Sequence, residues 1–343
     1  MFERDQVLAI YMEAHAADLA GKMGRGVLRN SPNPIACVID SHAAGQDAAD
    51  VVGVPRHCPI VATVAEARAL GAEVLVLGIA PPGGRIPEAW LAALDEAVAC
   101  GLSLVNGLHD LLEPRYPSLA PGQWVWDVRV EPPGLGIGTG AAAGSAARRV
   151  LLVGTDMSIG KMTAGLGLHA AACDRGLQSH FVATGQIGIA ICGGGVALDA
   201  VRVDFASGAI EREVLAAGDA EIIFVEGQGS LLHPASSATL PLLRGTMPTH
   251  LVLCHRAGQT HLARAPTVTI PPLGQVIELY QDLASACGAF ARPLVPCVSL
   301  ITSHLSSDEE ARRAADAIEE ELGLPCDDPV RHGAGRLLES LLT

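Results

Sequence analysis

The feature that most constrains the fold is a glycine-rich segment placed between an apolar strand and a helix. The sequence predicts a buried strand at 149–153, the segment GTDMSIGKMT occupies 154–163, and a helix is predicted at 162–174. Backbone N–H groups in such a turn and at the helix N-terminus face an anion, and Lys161 adds a positive charge. The segment therefore predicts a phosphate-binding loop within an α/β domain.

The spacing within this loop departs from the ordinary phosphate-binding motif. Five residues rather than four separate Gly154 from Gly160, and Met162 occupies the position at which Ser or Thr usually binds magnesium. The hydroxyl of Thr163 is displaced by one position, so the sequence leaves the use of magnesium open. The residues predicted to hold the phosphate are Gly154, Thr155, Asp156, Ser158, Gly160, Lys161, Met162 and Thr163.

Short apolar runs alternate with helices along the chain, which predicts parallel sheets covered on both faces. The first part has a predicted amphipathic helix at 6–20, strands at 35–39, 60–61, 74–78 and 102–105, and helices at 64–70 and 87–100. The second part has further predicted strands at 181–184, 221–226, 250–255 and 294–301, and helices at 274–287, 308–322 and 332–342.

The predicted fold class is therefore α/β, with an N-terminal Rossmann-like parallel-sheet domain followed by a P-loop NTPase-like α/β domain. We expect the first domain at 1–130 and the second at 149–343. The segment 131–148 is rich in Gly, Ala and Pro, which is typical of a linker.

Candidate functional residues follow the strands of the second domain, where open α/β sheets bind ligands. Glu226 ends a predicted strand; it could accept a proton, hold a metal ion or simply cap the strand end. His233 is a further base candidate. Thr184, Gln186 and Gln228 supply neutral side chains that could bind a substrate.

Basic side chains crowd behind the strand predicted at 250–255. Arg256, His261 and Arg264 lie close together in sequence, and guanidinium groups bind carboxylates in a bidentate manner. They predict an anionic substrate. Asn106 and His109 follow a strand of the first domain and are further candidates, although turn chemistry explains them nearly as well.

Composition argues against several classes of function. The chain has 23 Lys and Arg against 37 Asp and Glu, a net charge of −14, and no basic tract, which argues against general nucleic-acid binding. Nine scattered cysteines without a Cys-x-x-Cys pair argue against a disulfide scaffold and a thiolate zinc site, and no metal site is predicted. Without a signal peptide or an apolar stretch of membrane-spanning length, we expect a cytoplasmic protein that binds a small molecule and no membrane.

Taken together, several motifs resemble known families. The variant loop and VEGQG at 225–229 are similar to the dethiobiotin synthetase branch of P-loop proteins. A larger set of motifs resembles the D-glutamate N-acetyltransferase family across nearly the whole chain: GIAPPGGRIP at 78–87, NGLHD at 106–110, GTDMSIGKMT at 154–163, ATGQIGI at 183–189, VEGQGSLLHP at 225–234 and HRAGQTHL at 255–262.

This resemblance implies acetyl transfer from acetyl-CoA to the amine of D-glutamate, within D-amino acid catabolism. It implies that the phosphate loop holds coenzyme A and that backbone amides near Gly227 or Gly229 stabilise an oxyanion. The implied base candidates are Glu226, His233 and His255, and the implied carboxylate-binding residues are Arg256, His261 and Arg264. Enzymes of this P-loop branch are often dimers, so a homo-oligomer is expected by analogy.

Two alternatives stay open. The loop by itself favours an ATP- and magnesium-dependent ligase or kinase of the dethiobiotin synthetase type. A nucleotide-binding switch protein without turnover is the other alternative, but the donor-rich segments that follow strands in both domains favour a catalytic cleft.

Overall fold

The computed structural model describes residues 3–81 and 83–343, and the chain divides into two compact units. The first unit contains the residues up to Glu131 together with Gln186–Ala200. The second contains Pro132–Gly185 and Val201–Thr343. The chain therefore leaves the second unit once, contributes a short segment to the first, and returns.

The first unit is built around a parallel sheet. Its elements are β1 (Leu8–Tyr11), α1 (Lys22–Asn30), β2 (Ile35–Ile39), α2 (Ala48–Val52), β3 (Ile60–Val61), α3 (Val64–Ala69), β4 (Val74–Leu77), α4 (Leu91–Ala99), β5 (Ser103–Asn106) and β6 (Val125–Asp127). Within the described residues the sheet has six strands in the order β3-β2-β1-β4-β5-β6, all paired in parallel. This order is that of a Rossmann fold, so the predicted architecture of the first domain is confirmed.

The predicted helix at 6–20 is wrong. Leu8–Tyr11 forms β1, all four of its residues are buried, and it lies between β2 and β4. An apolar run buried on both faces of a sheet has no polar side to distinguish it from one turn of a buried helix. The first long helix begins only at Lys22, after a short 3₁₀ turn that the Asp18 carboxylate caps.

A local sequence signal predicts the start of α3 correctly. The predicted capping box is confirmed at α3, where Thr63 Oγ1 accepts the Glu66 N–H at 3.2 Å and the Glu66 carboxylate accepts the Thr63 N–H at 3.1 Å. These reciprocal bonds satisfy two backbone donors that a helix start would otherwise leave unpaired.

The second unit holds a second parallel sheet. The elements along this part of the chain are β7 (Arg148–Gly154), α5 (Lys161–Asp174), β8 (Ser179–Val182), α6 (Gln186–Cys192, in the first unit), α7 (Val203–Ala216), β9 (Ile222–Val225), α8 (Thr239–Thr246), β10 (His250–Arg256), β11 (His261–Leu262), β12 (Ala265–Thr269), α9 (Leu273–Ser285), β13 (Leu294–Ile301), α10 (Asp308–Leu322), β14 (Cys326–Asp327) and α11 (Gly335–Leu342). The described sheet has the order β14-β13-β10-β7-β9-β8. The strand that precedes the phosphate loop, β7, thus lies inside the sheet, with β10 and β9 on its two sides.

The division into units differs from the predicted boundaries at two places. The segment 186–200, expected within the second domain, belongs to the first unit, where α6 contacts α1. Ile189, Ala190 and Ile191 of α6 are buried, so this segment contributes to a packed core. The segment expected as a linker falls almost entirely in the second unit. Among the described helices, none has both the length and the apolar character needed to cross a membrane.

Candidate active site

The phosphate loop joins β7 to α5 in the geometry that the sequence predicts. Gly160 has a φ of +79° immediately before Lys161, the first residue of α5, and Ser158 has a φ of +55°. The start of the loop is fixed to the neighbouring strand, because the Thr155 N–H donates to Cys254 O at 3.1 Å. The first turn of α5 therefore directs its unpaired N–H groups toward the loop, as anion binding requires.

Lys161 is buried inside this loop. Its ammonium donates to Asp156 O at 2.8 Å, and the residue is 6% exposed. Burial lowers the pKa of Lys161 to about 8, because desolvation disfavours the charged form. A bound phosphate would place a negative charge next to this desolvated ammonium and so stabilise its protonated form.

Asp156 has a different role from the one its place in the loop predicts. Its carboxylate is almost fully buried and accepts from Gln259 Nε2 at 2.7 Å and from the Ala263 N–H at 2.8 Å. Both donors lie in the segment that follows β10. Asp156 therefore fastens the basic segment 256–264 to the phosphate loop, and its carboxylate is occupied by protein donors.

Glu226 follows β9 and is buried beside the lysine. One carboxylate oxygen accepts the Thr184 and Gly185 N–H groups at 3.0 and 3.1 Å, and the other accepts Gln228 Nε2 at 3.2 Å. Burial raises the pKa of Glu226 to about 7, although these hydrogen bonds and Lys161 act in the opposite direction. A carboxylate with this pKa can exchange a proton near neutral pH.

Gly227 allows the Glu226 loop to approach the lysine. A Cβ at this position would overlap Leu152 O and would lie 2.9 Å from Lys161 Cδ. The structure thus brings Glu226, Gly227, Gln228, Thr184 and Lys161 to one place, as the sequence predicts.

The two histidine base candidates of the second unit, His233 and His255, make different hydrogen bonds. Burial lowers the pKa of His255 to about 4, so this ring is neutral at pH 7, and its Nδ1 is 2.9 Å from Thr155 Oγ1. The Ala235 N–H donates to His233 Nδ1 at 3.1 Å, so a neutral His233 carries its proton on Nε2. His233 Nε2 is buried and lacks a hydrogen-bond partner in the described part of the chain. This tautomer makes His233 a donor, which disfavours the predicted role as a base.

Comparison with known proteins now gives the family. Residues 136–338 match the P-loop domain of DUF1611, a domain of unknown function, and residues 41–131 match the Rossmann-like N-terminal domain of the same family. The chain belongs to the DUF1611 family. Both domains of the predicted architecture are therefore confirmed.

Related proteins of this family cover most of the chain. A D-glutamate N-acetyltransferase from Tritonibacter scottomollicae is 40% identical over 284 residues, which cover 81% of this chain and 84% of that protein. A D-glutamate N-acetyltransferase from Pseudoalteromonas sp is 36% identical over 282 residues, with the same coverage of each chain. The crystal structure of a DUF1611 family protein from Anabaena variabilis is 50% identical and has a TM-score of 0.94, covering 98% of this chain and 99% of that one. The resemblance predicted from the motifs is confirmed.

Within the DUF1611 P-loop domain, Tyr280 is a site residue that sequence reasoning missed. Its hydroxyl, fully buried at the end of the segment IPPLGQVIELY (270–280), donates to Gly154 O at 2.8 Å and accepts the Leu231 N–H at 3.1 Å. Tyr280 thereby joins the start of the phosphate loop to the loop that carries Glu226. A hydroxyl that links two distant loops has no signature in sequence spacing.

The basic residues behind β10 lie at the surface. Arg256, His261 and Arg264 are exposed, and His261 Nδ1 is 3.0 Å from Thr260 Oγ1. Within the described part of the chain, the two arginines have no ion-pair partner. Their guanidinium groups are therefore exposed, and anion binding by these residues stays a prediction.

The predicted residues of the first unit separate into different roles. Asn106 is fully buried, and its amide donates to Asp110 O at 2.6 Å and to Asp127 Oδ1 at 2.7 Å. Both amide hydrogens are thus used inside the protein, so Asn106 holds a turn together and has none left for a substrate.

The other predicted residues of the first unit differ in exposure. His109 is exposed, and Gln186 is half-buried at the start of α6. Pro82 of the segment GIAPPGGRIP lies outside the described residues.

A cluster in the first unit has the composition of a cation site. Ligand atoms of Glu13, Asp40 and His42 lie within 4.8 Å of one another. However, Asp40 accepts the Ala14 and Ala16 N–H groups, and Glu13 accepts from Ser41. These bonds fix the strand-end loops of β1 and β2, and they account for both carboxylates without a metal ion.

Proposed function

We propose that this chain is an acetyl-CoA-dependent D-glutamate N-acetyltransferase. The observation that carries the proposal is the 36–40% identity to two proteins of that name over 81% of the chain. The geometry of the phosphate loop supports it, since coenzyme A carries a diphosphate and a ribose phosphate.

The phosphate loop fits coenzyme A by its donors and charge. Gly160, the N-terminus of α5 and the buried Lys161 would hold a phosphate group of this co-substrate. Acetyl-CoA would supply the acetyl thioester. Met162 takes the position of the hydroxyl that binds magnesium in the ordinary motif.

Glu226 is the base candidate that its pKa supports best. The amine of D-glutamate must lose a proton as it becomes an amide, and a base is most effective when its pKa is near the working pH. Glu226, with a pKa of about 7, meets this condition. His255 has a pKa of about 4, which makes it a much weaker proton acceptor at the same pH.

His233 would act as a donor in the same reaction. Negative charge develops on the thioester oxygen during acetyl transfer, and a fixed N–H group lowers the energy of that charge. His233 Nε2 is a buried N–H without a protein acceptor among the described residues. Arg256, His261 and Arg264 are candidates for binding a substrate carboxylate, as the sequence predicts.

The setting of the proposed enzyme follows from the same proposal. We expect small anionic molecules as its partners, the cytoplasm as its location, and a homo-oligomer by analogy with P-loop enzymes.

The experiment that tests the proposal is one incubation read by mass spectrometry. The protein is mixed with acetyl-CoA and D-glutamate, with parallel samples that contain L-glutamate or ATP and magnesium. We expect N-acetyl-D-glutamate without ATP and little product from L-glutamate. ADP without an acetylated product would instead support the ATP-dependent ligase or kinase.

A further inference from the structure

Arg129 is a buried cation of the first unit with little to neutralise it. It follows β6, at the carboxyl edge of the sheet, and its side chain is 9% exposed. Its one ion pair among the described residues joins Nη2 to Asp199 Oδ2 at 3.2 Å, and the Asp199 side chain is 49% exposed. Arg129 Nε is buried without a hydrogen-bond partner in the described part of the chain.

Other arginines of the chain have more protein partners. Arg331 Nε is likewise buried without a partner among the described residues, but both terminal nitrogens of Arg331 donate, to Asp308, Thr302 O and Leu305 O. Arg149 is also buried, but Nε donates to Met247 O at 2.8 Å and Nη1 donates to Ser145 O at 2.6 Å and to Ala147 O at 3.2 Å. Arg85 is exposed and pairs with Asp110 at the surface. A buried charge is stable only when it is paired. Because the one ion pair of Arg129 among the described residues is to the half-exposed Asp199, the guanidinium points to a further acceptor from outside the chain.

The loop after β4 approaches both Arg129 and His109 closely. Gly84, in the loop after β4, has a φ of +61°, and a Cβ there would overlap His109 Cδ2 and lie 2.9 Å from Arg129 Nη1. The His109 N–H donates to Gly84 O at 2.7 Å. The missing side chain at 84 therefore lets His109 and Arg129 occupy adjoining positions over the strand ends.

We propose that Arg129 and His109 form a binding site for a carboxylate of the amino-acid substrate. The guanidinium fork matches a carboxylate, and the carboxyl edge of an open parallel sheet is where such folds bind ligands. Asp199, at the exposed side of Arg129, keeps the cation partly neutralised when the substrate is absent. This inference rests on the proposed function for the identity of the substrate, while the anion site itself rests on the contacts of Arg129.

The experiment measures binding of D-glutamate, and of glutarate as an unreactive dicarboxylate, to the full chain by titration calorimetry. The variants are Arg129→Gln, Arg129→Lys and, as the matched control, Arg85→Gln. We expect Arg129→Gln to weaken binding of both probes about 10- to 100-fold, as for loss of a charged hydrogen-bond donor. Arg129→Lys keeps the charge but loses the fork, so it should also weaken binding, whereas Arg85→Gln should not.

Kinetics and thermal unfolding complete the test. The KM for D-glutamate should rise in both Arg129 variants while the KM for acetyl-CoA stays the same, and an unchanged melting temperature in Arg129→Lys would show that the variant is folded. Equal binding by wild type and both Arg129 variants, or no binding of either probe by wild type, would overturn the inference. Arg129-dependent binding of glutarate without any acetylation would support the anion site and reject the proposed function.

Discussion

Burial shifts the pKa values of Glu226 and Lys161, two side chains at the phosphate loop, toward each other. Glu226 is raised to about 7 and Lys161 is lowered to about 8. Desolvation disfavours both charged forms, which explains why the carboxyl pKa rises and the ammonium pKa falls. The proposed reaction needs a deprotonated Glu226 and a protonated Lys161, so we expect the two shifts to confine activity to a narrow pH range.

We predict a bell-shaped dependence of kcat/KM on pH. The acidic limb, near pH 7, reflects protonation of Glu226, and the basic limb, near pH 8, reflects deprotonation of Lys161. Replacement of Glu226 by Gln should lower kcat/KM about 10²- to 10⁴-fold, the usual contribution of a general base, and should remove the acidic limb. Steady-state kinetics from pH 5.5 to 9.5, chosen as roughly the pKa range of the two groups, provide the measurement.

His233→Asn is the control for this prediction. Because His233 is assigned as a donor, its loss should lower kcat and leave the acidic limb in place. If the acidic limb disappeared in His233→Asn and persisted in Glu226→Gln, the two assignments would have to be exchanged.

At the level of residues, sequence reasoning found the side chains with a recognisable motif and missed those defined by contacts. Lys161, Glu226 and Thr184 lie together as predicted because each follows a strand of one parallel sheet. Asp156 was expected to face phosphate, but it holds the loop after β10. Arg129 had no motif at all, since its significance depends on burial and on missing partners.

Among the structural elements, α9 has a role beyond covering the sheet. Its Tyr280 links the end of β7 to the loop after β9, so one hydroxyl sets the distance between the phosphate loop and the loop of the proposed base. The hydroxyl is buried, so water cannot replace it.

We predict that Tyr280→Phe lowers the free energy of unfolding by about 1–3 kcal/mol, because Gly154 O and the Leu231 N–H lose a buried partner. The same change should raise the KM for acetyl-CoA, since the phosphate loop loses its link to the neighbouring loop. Urea unfolding and steady-state kinetics measure the two effects.

Tyr116→Phe is the matched control, because the Tyr116 hydroxyl donates to Asp95 at 2.9 Å in an exposed position. A surface change of this kind should alter stability by less than about 0.5 kcal/mol. If Tyr280→Phe were destabilised but kept the KM for acetyl-CoA, Tyr280 would stabilise the fold without positioning the phosphate loop.

Elements with strong local signals were predictable, and elements defined by the rest of the fold were not. The capping box at Thr63 and the apolar strands β7, β10 and β13 follow from a few neighbouring residues. The helix expected at 6–20 is instead the buried strand β1, because its environment in the middle of the sheet overrides the local pattern. The hairpin of β11 and β12 has mostly exposed residues and no turn signature that the sequence reasoning recognised.

At the scale of the whole molecule, the path of the chain is the least predictable feature. The segment 186–200 belongs to the first unit although both its neighbours belong to the second. The segment expected as a free linker is fastened to α7, where Thr139 donates to Glu211 through its N–H at 3.0 Å and its hydroxyl at 2.8 Å. The place of each segment depends on the part of the fold against which it packs. The composition of the segment alone does not specify that part.

The most direct test of the account compares two acetyl donors. N-acetyl-D-glutamate formation is measured with acetyl-CoA and with S-acetylpantetheine, which lacks the phosphates, for wild type and Lys161→Met. We predict that wild type prefers acetyl-CoA strongly and that Lys161→Met reduces this preference about 10- to 100-fold, the value of a charged hydrogen bond. Equal use of both donors by wild type, or no N-acetyl-D-glutamate from either, would contradict a phosphate loop that serves acetyl transfer to D-glutamate.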